Sequence, residues 1–288
     1  AAIRTMADTE SVVLFGFDAL AEVFDGIIAS RLLRGYGLGF RLVRKISPAL
    51  EATLRSVPII GFASENAGST GAKVNRKRGL IPGLTLCGRA YFQSKGFFDD
   101  EVLKDLKIKH ELCRAAKATI DEVLEPGETP LFIHIRRGDY LRWPSTESPA
   151  VLPYSWYRRN IDALREQIPG ARFYLCTDDV LYAEDLFGDS PDICITAKSV
   201  GHDFALLSQC AGGILSASSF AWWASYFAKN RGAKGPFIAP VYWGGHRLQS
   251  WYPPHIKSDL FTYVPVEHRE KQISRIAVTG HASEPVRD

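Results

Sequence analysis

The chain has 288 residues, of which 46% are hydrophobic and 23% charged, a balance typical of globular proteins and long enough for two domains with separate cores. A net charge of +3 is too small to argue for nucleic acid as a partner, and no run reaches the roughly 18 apolar residues of a membrane-spanning helix. The five cysteines, Cys87, Cys113, Cys176, Cys194 and Cys210, are odd in number and lack a CxxC pair, so a reducing compartment is the simplest reading.

Residues 11–17 read as a strand and 18–33 as a helix. The Gly-rich segment Gly35–Gly39 breaks the pattern without forming a dinucleotide fingerprint. From Arg31 to Lys95 the only acids are Glu51 and Glu65, against twelve basic residues. This stretch reads as a solvated basic face that could also draw the protein to an anionic membrane surface or a charged donor. Residues 61–83 are rich in Gly, Ser, Asn and basic residues and read as an exposed loop. A long helix is then expected, capped by Asp99 and Asp100 and carrying Val102, Leu106, Leu112, Ala116, Ile120 and Val123 at helical spacing as far as Leu124. Glu125 to Pro130 stops it, which sets a boundary between a domain of residues 1–125 and one of residues 126–288.

Beyond that stop, strand and helix alternate. Strands are expected at 131–135, 172–176, 192–196, 213–217 and 236–241, with helices at 155–168, 180–187, 203–210 and 219–229 between them. This order predicts an α/β fold with a parallel, doubly wound sheet.

Three of these strands end in unusual chemistry. His134-Ile135-Arg136-Arg137-Gly138-Asp139-Tyr140 closes the first. A pair of guanidinium forks there matches a phosphate ligand, because ligands of open α/β sheets bind beyond the carboxyl ends of the strands. The second strand ends in Thr177-Asp178-Asp179, where the acids could also cap the next helix. The fourth ends in Ser216-Ala217-Ser218-Ser219, where a helix N-terminus offers an anion site or the serines act as plain caps. Convergence on one sheet edge points to a nucleotide-type ligand in a cleft. The histidines are scattered and no pair has zinc-ligand spacing, so no metal is expected; two adjacent arginines supply the charge a diphosphate needs.

The same residues resemble the alpha-1,2-fucosyltransferase family. His134 to Tyr140 is similar to its HxRRxDY signature, and Tyr174 to Asp179 to its second motif. Asp203 to Cys210 with Ser216 to Ala224, including Phe220, Trp222 and Trp223, is similar to the third. Tyr91-Phe92-Gln93-Ser94-Lys95 with Phe97 and Phe98, and Pro240 with Trp243, resemble two further family segments. The likeness covers residues 85–245, and no Gly-Gly-x-Gly-Asn-Gln loop of the kind that usually opens family members occurs.

The resemblance implies a GT-B-like architecture, in which two Rossmann-like doubly wound domains face a cleft, residues 1–125 on the acceptor side and 126–288 binding the donor. It implies GDP-fucose as donor, a galactose-type glycan as acceptor, inversion at the anomeric carbon, and no cofactor or metal. Arg136 and Arg137 would hold the diphosphate, with Asp178, Asp179, Asp203, Ser218, Ser219 and Phe220 completing the donor site. Asp139 is the first candidate for the general base and His134 the second; Asp139 could equally be an ion-pair partner that holds an arginine. Asp203 would accept from guanine or cap its helix, and Trp222 and Trp223 fit the core better than a sugar platform. An alpha-1,6-type fucosyltransferase and a non-catalytic GDP-sugar-binding module are the alternatives. The N-terminus shows no signal-peptide pattern, so a cytoplasmic enzyme, peripheral to a membrane, is expected, or a Golgi-lumen one if the chain is a eukaryotic catalytic fragment.

Overall fold

The computed structural model describes residues 106–253 and 255–267 and, before them, residues 13–15, 22–25, 31–33, 53, 59–66, 73–81 and 85–87. The Gly35–Gly39 segment and the Tyr91–Phe98 motif lie outside the described residues.

Six described strands precede residue 106: β1 (Val13–Phe15), β2 (Phe24–Asp25), β3 (Arg31–Leu33), β4 (Gly61–Asn66), β5 (Lys73–Lys77) and β6 (Thr85–Cys87). The expected helix over 18–33 is corrected by β2 and β3, and the expected loop over 61–83 by β4 and β5, which pair antiparallel from Phe62–Lys77 to Asn66–Lys73. Main-chain hydrogen bonding needs no apolar side chains, so a Gly-, Asn- and Lys-rich hairpin carries little pattern of its own. Lys77 and Arg78, within the basic stretch, are exposed.

Strand β7 (Lys107–Ile108) pairs antiparallel with β2, and helix α1 follows only at His110–Asp121. A single helix from Asp99 to Leu124 is therefore corrected. Helix α1 packs into the same core as the later sheet, on the C-terminal side of the expected 125/126 boundary. Its Ala116 and Ile120 are buried there, the Ile120 carbonyl accepts from the Tyr174 hydroxyl at 2.7 Å, and Gln209 Nε2 donates to the Cys113 carbonyl at 2.8 Å. Phe24 joins this core edge-on to Phe204 at 5.3 Å.

From residue 129 the alternation is as expected through the strand at 236–241, and a sixth strand at Thr262–Val264, not expected from the sequence, extends the sheet. Strands β8 (Thr129–Ile135), β9 (Ala171–Thr177), β10 (Ile193–Thr196), β11 (Gly212–Leu215), β12 (Phe237–Pro240) and β13 (Thr262–Val264) form one all-parallel sheet. Helices α2 (Tyr154–Gln167), α3 (Val180–Phe187), α4 (Val200–Gln209) and α5 (Ser219–Asn230) connect them. The spatial order is β10-β9-β8-β11-β12-β13, so the winding reverses between β8 and β11.

Residue parity along β8 divides the core in two. Leu131, Ile133 and Ile135 pack with Trp156, Tyr157 and Leu164 of α2 and Ala183 of α3. Phe132 faces the other way, toward α1, α4 and α5, with Leu207, Ala221 and Trp222. A strand buried on both faces reads as a continuous apolar run, as Leu131-Phe132-Ile133 does. Trp222 is 1% exposed and stacks on Tyr226, so its core reading holds; Trp223 packs partly buried against the same cluster.

Candidate active site

A cavity of about 480 Å³ opens at the reversal between β8 and β11. Its polar wall includes His134, Arg136, Asp139, Asp178, Asp203 and Ser218. Just below it the strand ends are clasped by one residue. The Ser216 hydroxyl donates to the His134 carbonyl at 2.9 Å, accepts from the Arg136 N–H at 2.8 Å, and lies 2.8 Å from the Tyr157 hydroxyl. The hydroxyl is thereby saturated, with Tyr157 as its third partner and the second donor to it. Burial raises the Tyr157 pKa, which keeps the phenol protonated.

Parity also separates the two arginines. Successive side chains leaving a strand point to opposite faces. Arg136, on the His134 side, reaches into the cavity. It is 2.7 Å from Asp139 Oδ1 and 3.0 Å from Asp178 Oδ2. Arg137 turns toward α3: its Nε donates to Asp179 Oδ2 at 2.9 Å, and its guanidinium lies 3.5 Å from the Tyr182 ring centroid. Arg137 does not line the cavity. The expected double fork is therefore a single guanidinium, with its neighbour built into the scaffold.

The two acids at the end of β9 also divide. Asp178 Oδ1 accepts from the Arg137 N–H at 2.8 Å while its other oxygen meets Arg136. A Cβ on Gly138 would lie 2.7 Å from Asp178 Oδ2, so a side chain there would push the Asp178 carboxylate off its present contacts. Asp179 accepts from the Tyr182 N–H at 3.2 Å, the capping role weighed for it, and does not line the cavity.

Helix α4 is capped by Ser199, which accepts from the His202 N–H, so Asp203 is not its cap. The Asp203 carboxylate lines the cavity, held by the Lys198 N–H at 3.3 Å and His202 Nδ1 at 3.2 Å. Burial raises its pKa, opposed by the His202 hydrogen bond. Ser218 occupies the N-cap position of α5 without making a side-chain capping bond. Ser218, Ser219 and Phe220 all face the cavity, where the N-terminus of α5 favours an anion.

His134 is 6% exposed, and its Nδ1 finds no hydrogen-bond partner among the described residues. Its ring lies 5.5 Å from that of Phe220. Burial, aided by the Arg136 charge, pushes its pKa down to about 3, so the imidazole is neutral at neutral pH. Asp139 has an exposed side chain and starts a short 3₁₀ turn (Asp139–Leu141). The Tyr140 hydroxyl donates to the Ala217 carbonyl at 2.5 Å, a second tie across the reversal. Tyr157 and the cavity aromatics Trp143 and Tyr252 escaped the sequence reading, and Ser216, read there as part of an anion site or cap, is instead the clasp between the strand ends. No group of three or more His, Cys, Asp or Glu side chains suited to a metal occurs among the described residues.

The model of glycosyl transferase family 11 matches residues 83–244, more than half of the chain and all of the cavity lining except Tyr252 and Pro253. The chain belongs to glycosyl transferase family 11. It is 28% identical over 152 residues to the O-antigen biosynthesis glycosyltransferase WbnK of Escherichia coli, covering 49% of this chain and 50% of that protein. It is 28% identical over 163 residues to the galactoside 2-alpha-L-fucosyltransferase SEC1 of Bos taurus, covering 54% and 44%. An alpha-1,2-colitosyltransferase of Escherichia coli matches at 30% over 117 residues, covering 38% and 40%. The chain thus spans half or less of the curated relatives it matches. Among solved structures, the fucosyltransferase NodZ from Bradyrhizobium aligns with a TM-score of 0.36 at 19% identity, over 52% of this chain and 53% of that one. Two of these relatives carry a 2-alpha- or alpha-1,2-transferase name, in line with the resemblance read from the His134–Tyr140 and Ser216–Ala224 motifs.

Proposed function

We propose that this chain transfers L-fucose from GDP-fucose to the 2-hydroxyl of a galactose-ended glycan, with inversion. The observation that carries the reading is Arg136, the cavity guanidinium, set beside the N-terminus of α5 at the reversal of the sheet. The GDP diphosphate takes the place of Asp139 on Arg136, because Asp139 is the more exposed of its two carboxylate partners. As the bond to fucose breaks, negative charge grows on the diphosphate, and Arg136 and the α5 N-terminus stabilise it. The displaced Asp139 is then free to take the proton of the acceptor hydroxyl. His134 has lost the basicity for that task and serves as a neutral hydrogen-bonding group. Asp203 receives the guanine N–H groups. No step needs a metal, since Arg136 carries the counter-charge. The facing domain of a GT-B architecture is drawn from residues before α1, since α1 itself belongs to the core of the donor-side sheet.

The test is incubation of the chain with GDP-fucose and a panel of galactose-ended acceptors, with and without EDTA, followed by linkage analysis of the product by NMR. A 2-linked fucoside, formed equally with EDTA, supports the reading. A 6-linked product overturns the linkage, and GDP binding by calorimetry without product reduces the chain to a donor-binding module. The colitosyltransferase relative makes nucleotide-activated colitose the competing donor to include.

A further inference from the structure

Two runs of side chains in contact along the cavity wall, its two arms, flank Arg136. One arm runs past His134 to Phe220, whose ring is 5.3 Å from Phe204, the neighbour of Asp203 in the chain. The other arm is aromatic. The Arg136 guanidinium lies 5.9 Å from the Tyr140 ring centroid, Tyr140 is 5.2 Å from Trp143, and Trp143 is 6.2 Å from Tyr252. Trp143 belongs to the loop after β8 and Tyr252 to the loop after β12, and both line the cavity. Tyr252 is 44% exposed and Trp143 half-buried, whereas the core tryptophans Trp156, Trp222 and Trp243 are almost fully buried. Trp143 and Tyr252 thus spend a large aromatic surface on the cavity rather than on the core.

We propose that Trp143 and Tyr252 are the seat of the acceptor sugar, on which a β-galactose-ended saccharide lays its apolar C–H face. The inference rests on the donor reading above. A nucleoside diphosphate with its phosphates on Arg136 and its base toward Asp203 carries its reactive sugar toward the aromatic arm, so the acceptor hydroxyl must approach from there. The chemistry fits. The C–H groups on one face of galactose carry partial positive charge, and an aromatic face is negative. Pockets for such ligands combine apolar walls with a few placed polar groups, here Asp139 and Arg136 at the inner end. Tyr140 is a positioning residue in this arrangement, because its hydroxyl is committed to the Ala217 carbonyl.

The experiment is saturation-transfer NMR of lactose with the chain in the presence of GDP, irradiating aromatic protons. The expected result is saturation on the galactose C–H protons in the parent, its loss in Trp143→Ala, and its retention in Trp143→Phe. Calorimetry should give Trp143→Ala a GDP dissociation constant within about twofold of the parent, while its acceptor KM rises about tenfold with kcat nearly kept. A lactose signal that survives in Trp143→Ala overturns the inference, as does a parallel fall in GDP affinity, which would move Trp143 to the donor arm. A parent that binds GDP but transfers no saturation to lactose sinks this inference alone. A parent that binds no GDP sinks the donor reading and this one with it.

Discussion

Single substitutions at Arg136 and Arg137 should separate two roles that adjacent identical residues conceal. Arg136→Ala removes the guanidinium that faces the developing charge. Loss of one preorganised donor of this kind costs about 10²–10³ in rate, or roughly 3–4 kcal/mol. The upper end is expected here, because Asp139 and Asp178 then face the diphosphate without the cation that now sits 2.7 and 3.0 Å from them. Arg137→Ala removes a partly exposed ion pair at 2.9 Å and a guanidinium stacked 3.5 Å from the Tyr182 centroid. Exposed pairs contribute little and such stacking contributes more, so about 1–2 kcal/mol of folding stability should go. The backbone N–H of residue 137 still donates to Asp178, and Asp179 still caps α3, so the site itself keeps its shape. Turnover of GDP-fucose should then stay within about fivefold of the parent, a barrier change of under 1 kcal/mol. Steady-state GDP release and urea unfolding on the same preparations measure both quantities. An Arg137→Ala variant as stable as the parent but as inactive as Arg136→Ala would refute the separation and restore the double fork.

Two further predictions concern the frame around Arg136. Ser216→Ala leaves the buried Tyr157 hydroxyl and the Arg136 N–H without their partner, so a loss of about 2–4 kcal/mol is expected in urea unfolding, against about 1 kcal/mol for Tyr157→Phe, which removes one donor only. Equal losses in the two variants would contradict the clasp. His134 supplies a pH signature. Its folded pKa of about 3 lies below the ordinary 6.5, so the unfolded chain binds the proton first as pH falls. Stability from this group is full above pH 6.5 and is lost toward pH 3, at roughly 1.4 kcal/mol per pH unit below about 6. His134→Phe should flatten the stability profile between pH 6 and pH 4 relative to the parent, and parallel profiles would show that the imidazole is not buried neutral.

The doubly wound sheet was legible because each strand is a short apolar run and most helices start or stop at a turn signal. Pro169-Gly170 closes the segment that ends α2, and Asp179 and Ser218 stand at the N-caps of α3 and α5. The N-terminal strands were not legible. Strands of two or three residues, such as β2 and β3, are too short to show a period, and β2 finds its partner β7 more than eighty residues away. Phe24 could equally sit on a helix face; what decides its place is packing against Phe204 and Phe227, which no local pattern records. At the site, residue types were visible but their partners were not. Asp203 and Asp179 both read as cap or ligand. Only the fold puts a real cap, Ser199, before the first and leaves the second tied to Tyr182. The burial of His134 was hidden for the same reason, since it depends on Phe220, which arrives from the far side of the sheet reversal.

One signal in the sequence could have divided the arginines. Along β8 the even residue Phe132 faces α1, α4 and α5, while the odd residues Leu131, Ile133 and Ile135 face α2 and α3. Continued past the strand, the same alternation sends His134 and Arg136 toward the N-termini of α4 and α5 and sends Arg137 toward α3. Both helices that can greet an anion or a base lie on the even side. Residue 136 therefore meets the ligand and residue 137 holds the turn, and the Ser216 clasp on the Arg136 N–H fixes which is which. The double arginine is thus best understood as one ligand and one anchor. The anchor seats Asp179 and α3, its own N–H holds Asp178, and Asp178 in turn meets the guanidinium that faces the cavity.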